Sequence, residues 1–123
     1  MNDLDEKPEL KTRLVEFTVS VLHLARKHKN EKTLEPVFNQ IIRSAGSIGA
    51  NVSEASGAVS KVGFARYFHI ALQSANETRY WIEVLQETKL LDGVLLKALH
   101  SEVSEFIRIL RASLRTMKGD ENQ

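Results

Sequence analysis

A chain of 123 residues that is 42% apolar and 27% charged, with six Gly and two Pro, has the size and composition of one folded domain. Seventeen Lys and Arg against sixteen Asp and Glu leave a net charge of +1, which argues against broad attraction to bulk nucleic acid but allows a local basic patch. The absence of cysteine removes disulfides, thiolate catalysis and cysteine-ligated zinc together and fits a reducing compartment.

The first residues, Met1 to Lys7, are acidic and lack an apolar core, so they read as neither a signal nor a transit peptide. No apolar run approaches the roughly 20 residues of a membrane span, and the expected location is the cytoplasm. Helix one is expected to begin at Pro8, which suits a first helical turn, and to carry the apolar stripe Leu10, Leu14, Phe17, Val21 and Leu24. The polar stretch Lys27 to Lys32 ends it. Thr33 is the expected N-cap of helix two, with Pro36 inside the first turn and a stripe of Leu34, Phe38, Ile41, Ala45, Ile48, Val52 and Ala55. Helix two stops near Gly57-Ala58 and Ser60 caps helix three, whose stripe is Phe64, Phe68, Ala71, Ala75, Thr78, Ile82 and Leu85. Asp92-Gly93 marks the last turn. Helix four follows with Leu95, Leu99, Val103, Phe106, Leu110 and Met117 before a polar tail from Gly119.

These elements predict an all-α, antiparallel up-down-up-down four-helix bundle spanning 8–118, with 1–7 and 119–123 as flexible tails. The alternating steps of three and four fit supercoiled packing at roughly 20 degrees. No period-two alternation of useful length occurs.

From Ser44 to Ala58, eleven of fifteen side chains are Gly, Ala or Ser. An interior Gly costs up to about 1 kcal/mol against Ala, so Gly46 and Gly49 suggest close approach of another backbone. A phosphate-loop reading fails because no strand precedes the glycines and no Gly-Lys-Ser/Thr follows. On the same helix, Arg43, Ser47, Asn51 and Glu54 share one face. A turn centred near Ser60 sets them opposite Glu77, Gln73, His69 and Arg66 respectively. This pattern predicts a polar seam that fixes the register of helices two and three, the alternative being unrelated surface residues.

Helix three carries a second apolar row of Tyr67, Ile70, Trp81 and Val84. Val15, Val19 and Leu22 on helix one and Ile107 and Ile109 on helix four add to the surplus. One bundle core has no room for both rows of helix three, so these four residues are a candidate oligomer interface.

The run Ile41 to Ala55, followed by Ile70-Ala71-Leu72-Gln73-Ser74-Ala75-Asn76-Glu77-Thr78-Arg79-Tyr80-Trp81, resembles a bacterial four-helix bundle family. Its members were first noticed as proteins encoded in intervening sequences of 23S ribosomal RNA genes. The resemblance covers essentially the whole chain outside the tails. It implies a protomer that assembles into a ring-shaped homopentamer and implies no reaction. Distant relatives are accessory proteins of diversity-generating retroelements, in which a basic pentamer binds nucleic acid and a reverse transcriptase.

The sequence shows no catalytic or metal constellation. His23, His28, His69 and His100 lack the Glu-x-x-His spacing of dimetal bundles, and His28-x-x-Glu31 is a lone match at a helix end. The Arg–His spacing of bundle-type ribonuclease toxins is also missing, since Arg66 and His69 are too close and Arg13 and His23 too far apart. The serines have no nucleophile turn. No enzyme activity, cofactor, small-molecule substrate or membrane partner is expected.

One feature favours nucleic acid. Arg108, Arg111, Arg115 and Lys118 share a face of helix four, and the bundle topology sets its end near Lys11, Arg13 and Lys61. Cations there also stabilise the helix dipole without any ligand, and no aromatics are interleaved for base stacking. The reading the sequence favours is a self-assembling scaffold or adaptor whose partner is itself. The alternative is a nucleic-acid-binding accessory protein using the basic stripe.

Overall fold

The computed structural model describes residues 9–121, and Pro8, the expected start of the first helix, lies outside them. Four helices follow one another: α1 (Leu10–Lys27), α2 (Glu35–Ser56), α3 (Lys61–Thr88) and α4 (Gly93–Glu121). Among the described residues there is no strand. Consecutive helices pack side by side, α1 on α2, α2 on α3 and α3 on α4, so the chain runs up, down, up and down as the short connections require.

The apolar stripes explain the core. Leu14, Phe17, Val21 and Leu24 of α1 are buried, as are Phe38, Ile41, Ala45, Ile48, Val52 and Ala55 of α2. Phe68, Ala71, Ala75, Thr78, Ile82 and Leu85 supply the third wall, while Phe64 is half-buried and stacks on Phe68 with ring centroids 4.5 Å apart. Each large side chain so buried contributes roughly 1.5–3 kcal/mol of transfer free energy.

The helix ends depart from expectation in three places. Thr33 does not cap α2: it lies inside a single 3-10 turn, Lys32–Leu34, and Leu34 occupies the cap position without a side-chain hydrogen bond. Leu34 is 3% exposed, and burying it draws the backbone into helical geometry before Thr33 can take an extended cap conformation. Pro36 sits in the first turn, where its missing N–H has no partner to lose. On α4, Leu96 is buried and Leu95 only half-buried, and Asp92 starts the helix by accepting from the Val94 and Leu95 N–H groups at 2.9 and 3.4 Å. The same helix continues through Glu121, so Gly119 does not begin the tail.

Ser60 caps α3 by accepting from the Gly63 N–H at 3.0 Å. That helix ends at Lys89 in the left-handed conformation (φ 58°, ψ 20°), a position that Gly would occupy without a Cβ penalty.

Candidate functional site

The polar contact between α2 and α3 is built from smaller residues than the sequence pattern selected. Arg43 reaches Glu77 at 2.6 Å, and the same guanidinium nitrogen lies 2.8 Å from Gln40 Oε1. Ser47 meets Ser74 at 2.8 Å rather than Gln73, which is exposed. Asn51 turns back along its own helix, its Nδ2 donating to the Ser47 carbonyl at 2.8 Å and lying 3.1 Å from Ser47 Oγ, and His69 is left exposed. Glu54 and Arg66 are both exposed, and among the described residues no ion pair joins them. Further inside, the hydroxyls of Ser44 and Thr78 lie 2.8 Å apart in full burial; Thr78 falls on the core stripe that spacing predicts, while its pairing with Ser44 is not part of the expected seam. Small side chains let the two backbones approach, and close approach brings the inner rows of hydroxyls together. Longer polar side chains are displaced towards solvent.

The glycines serve this arrangement unequally. A Cβ on Gly49 would meet Leu14 Cβ at 3.5 Å, an ordinary contact across the α1–α2 interface. A Cβ on Gly46 would meet nothing within 4 Å, so no neighbouring backbone accounts for that glycine. Beside it runs a groove of about 320 Å³ between α1 and α2, lined by Val15, Val19, Gly46, Gly49 and Ala50.

The opposite seam, between α1 and α4, is tied by one arginine. Arg13 donates through Nε to Glu102 at 3.2 Å and through NH2 to the same carboxylate at 2.8 Å, while NH1 lies 3.0 Å from Glu105. Its guanidinium also lies 5.3 Å from the centre of the Phe106 ring, which meets Phe17 edge-on at 5.4 Å. Hydrogen bonding to Glu102 raises the Arg13 pKa above the usual arginine range, against the opposing effect of burial and with further help from Glu105. A cleft of about 580 Å³ opens along this seam. Nothing in the local sequence marks the tie, because its partners stand some ninety residues apart.

The surplus apolar side chains separate into two groups. Tyr67, Trp81 and Val84 are half-buried, Tyr67 and Trp81 packing on the core, and Trp81 Nε1 donates to Glu77 at 3.2 Å. Ile70 is 37% exposed. Ile107 is a correction: it is 1% exposed and belongs to the core, because α4 turns both Phe106 and Ile107 inward. Exposed apolar side chains form a row on α1, where Val15, Val19 and Leu22 are 57%, 41% and 44% exposed, and otherwise stand at Tyr80 of α3, 57% exposed, and near the helix ends at Val59, Val62, Leu90 and Val94.

Arg108, Arg111, Arg115 and Lys118 are all exposed, and among the described residues none forms an ion pair. Arg115 and Lys118 line a hollow of about 350 Å³ with His69 of α3. Arg13 does not join this basic end, since Glu102 and Glu105 engage it further back along α4. Among the histidines, His100 pairs with Glu83 at 2.8 Å and His28 stacks on Phe38 with centroids 6.3 Å apart. Among the described residues no three metal-ligating side chains come together, and no helix is long and apolar enough to cross a membrane.

Four helices wound in sequence around a single apolar core, with a hydroxyl-lined seam between the middle two, define an antiparallel four-helix bundle. The family model of the 23S rRNA-intervening sequence proteins matches residues 6–112, and the chain belongs to that family. A solved structure from Bacteroides thetaiotaomicron VPI-5482, described as a protein with unknown function from the S23 ribosomal protein family, is similar at 33% identity and a TM-score of 0.80. The likeness covers 86% of this chain and 98% of that one. No curated protein matches.

Proposed function

We propose that this chain is a non-enzymatic scaffold or adaptor that works as an assembly of identical copies, a homopentameric ring. The carrying observation is the row Val15, Val19 and Leu22, at steps of four and three on one face of α1, exposed although the core is already complete. A contiguous apolar strip of this kind is a common mark of an interface. Burial of Ile107 removes one expected contributor, and the exposure of α1 moves the weight of the assembly reading to a different helix. The resemblance supplies the copy number.

Light scattering coupled to size exclusion, at low and high salt, tests this reading. The expected result is one species of five protomers of 13.9 kDa that persists in salt. A species of a single protomer at all concentrations overturns it.

A second reading has its own observation: four exposed cations on one face of α4 without acidic partners among the described residues. Such a stripe suits phosphate backbone contact, repeated around a ring. RNA or DNA binding that weakens steeply with salt and disappears on charge reversal of Arg111 and Arg115 supports it; no binding at low salt removes it.

A further inference from the structure

Resting on the assembly reading above, we infer that neighbouring copies meet through the outer face of α1 on one and the outer face of α3 on the next. Leu22 lies against Tyr80 at the centre, and the Arg26–Lys27 end of α1 faces Glu83 and Glu87.

The bundle itself sets the heights. Leu14 is level with Gly49, and the Ser47–Ser74 and Ser44–Thr78 contacts align α2 with α3. Counting along the helices from these contacts at the α-helical rise puts Leu22 level with Tyr80 and Val15 within one turn of Ile70. Arg26 and Lys27 come level with the stretch from Glu83 to Glu87. Helices α1 and α3 run in the same direction, on either side of α2. In the ring inferred, the symmetry axis runs parallel to the bundle; rotation about such an axis introduces no shift along it, so residues of equal height on facing surfaces meet.

Two properties select this pair of faces. Both are apolar at mid-height: Val15, Val19 and Leu22 on one side, Tyr80 at 57% and Ile70 at 37% exposure on the other. Tyrosine is enriched at protein interfaces because a large apolar ring carries a polar tip. Both are also charged at one end, with opposite sign. Arg26, Lys27 and Lys29 are exposed where α1 ends, and Glu87 and Glu83 are exposed near the end of α3, Glu83 with His100 at 2.8 Å. Pairing α1 with α1 instead would bring Arg26 against another Arg26 or against Lys11, so charge favours α3 as the partner surface. The open groove at Gly46, beside Val15 and Val19, leaves room at this contact for a side chain of the second copy.

The chain has no cysteine, which permits a direct test with Leu22→Cys and Tyr80→Cys in one chain. Both positions are exposed on helices separated by α2, so the bond forms between copies and not within one. Oxidation is expected to give a covalent ladder up to the full ring on a denaturing gel without reductant, whereas either single variant, which meets no second cysteine at this contact, gives no ladder. Arg26→Glu is expected to reduce the assembled fraction, with Glu87→Arg in the same chain restoring it. A parent protein that assembles by light scattering while the double-cysteine variant forms no ladder overturns this surface and leaves assembly standing. A parent that is monomeric overturns both.

Discussion

The two long seams of the bundle are held by different means. Between α2 and α3, serine and threonine hydroxyls touch at 2.8 Å in two places, and the backbones lie close enough for short side chains to bridge them. Between α1 and α4, large side chains meet at a distance, Phe17 on Phe106 and Arg13 on two glutamates, and a cleft remains. The contrast teaches how residue size distributes rigidity. Small residues give many short contacts and one register, whereas one long charged side chain spans a gap without closing it.

The largest effect is expected at the open seam. Phe106 is fully buried there, and Phe106→Ala should lower the unfolding free energy by about 3–5 kcal/mol in chemical denaturation. Arg13→Met should cost about 2 kcal/mol, because it removes the two hydrogen bonds and the cation that Glu102 meets in a partly buried setting, and α1 should exchange its amide hydrogens faster than α3. The sign of the pH dependence follows from the raised pKa of Arg13. Its contribution is fully present below the unfolded value and is lost only as pH rises through the still higher folded value, so deprotonation of Arg13 does not loosen the tie near neutrality.

Smaller effects are expected on the two sides of α2. Gly46→Ala should stabilise the isolated protomer by roughly 0.5–1 kcal/mol in thermal or chemical unfolding, since nothing lies within 4 Å of the added methyl group and the helix gains a better former. A double-mutant cycle of Arg43 with Glu77 should show a coupling of about 0.2–1 kcal/mol, modest because Arg43 is 61% exposed. The same cycle for Glu54 with Arg66 should show none. Coupling in that second pair, or its absence in the first, would reverse the account of the α2–α3 register.

Most of the fold is legible in the sequence because helical period reports burial directly: Leu14, Phe38, Ala75 and Leu110 are all read from spacing and all lie in the core. What spacing does not report is the distance between axes. The seam pattern selected residues that share a face: Arg43 does meet Glu77 at the solvent-facing edge, but further inside contact falls to those short enough for the gap, Ser44 and Ser47 with Thr78 and Ser74. The Arg13 tie and the inward turn of Ile107 escape for a related reason, as both depend on how α4 rotates against a helix distant in sequence. Thr33 fails as a cap because burial of Leu34 outweighs a capping preference of about 1 kcal/mol.

Assembly is tested most directly by the mass in solution of the parent protein and of Val19→Glu, measured side by side by sedimentation velocity. The expected result is an assembled parent, a variant reduced to 13.9 kDa, and equal helicity in both. A parent that sediments as a single protomer, or a variant that stays assembled, would contradict the assignment of the α1 face as an interface.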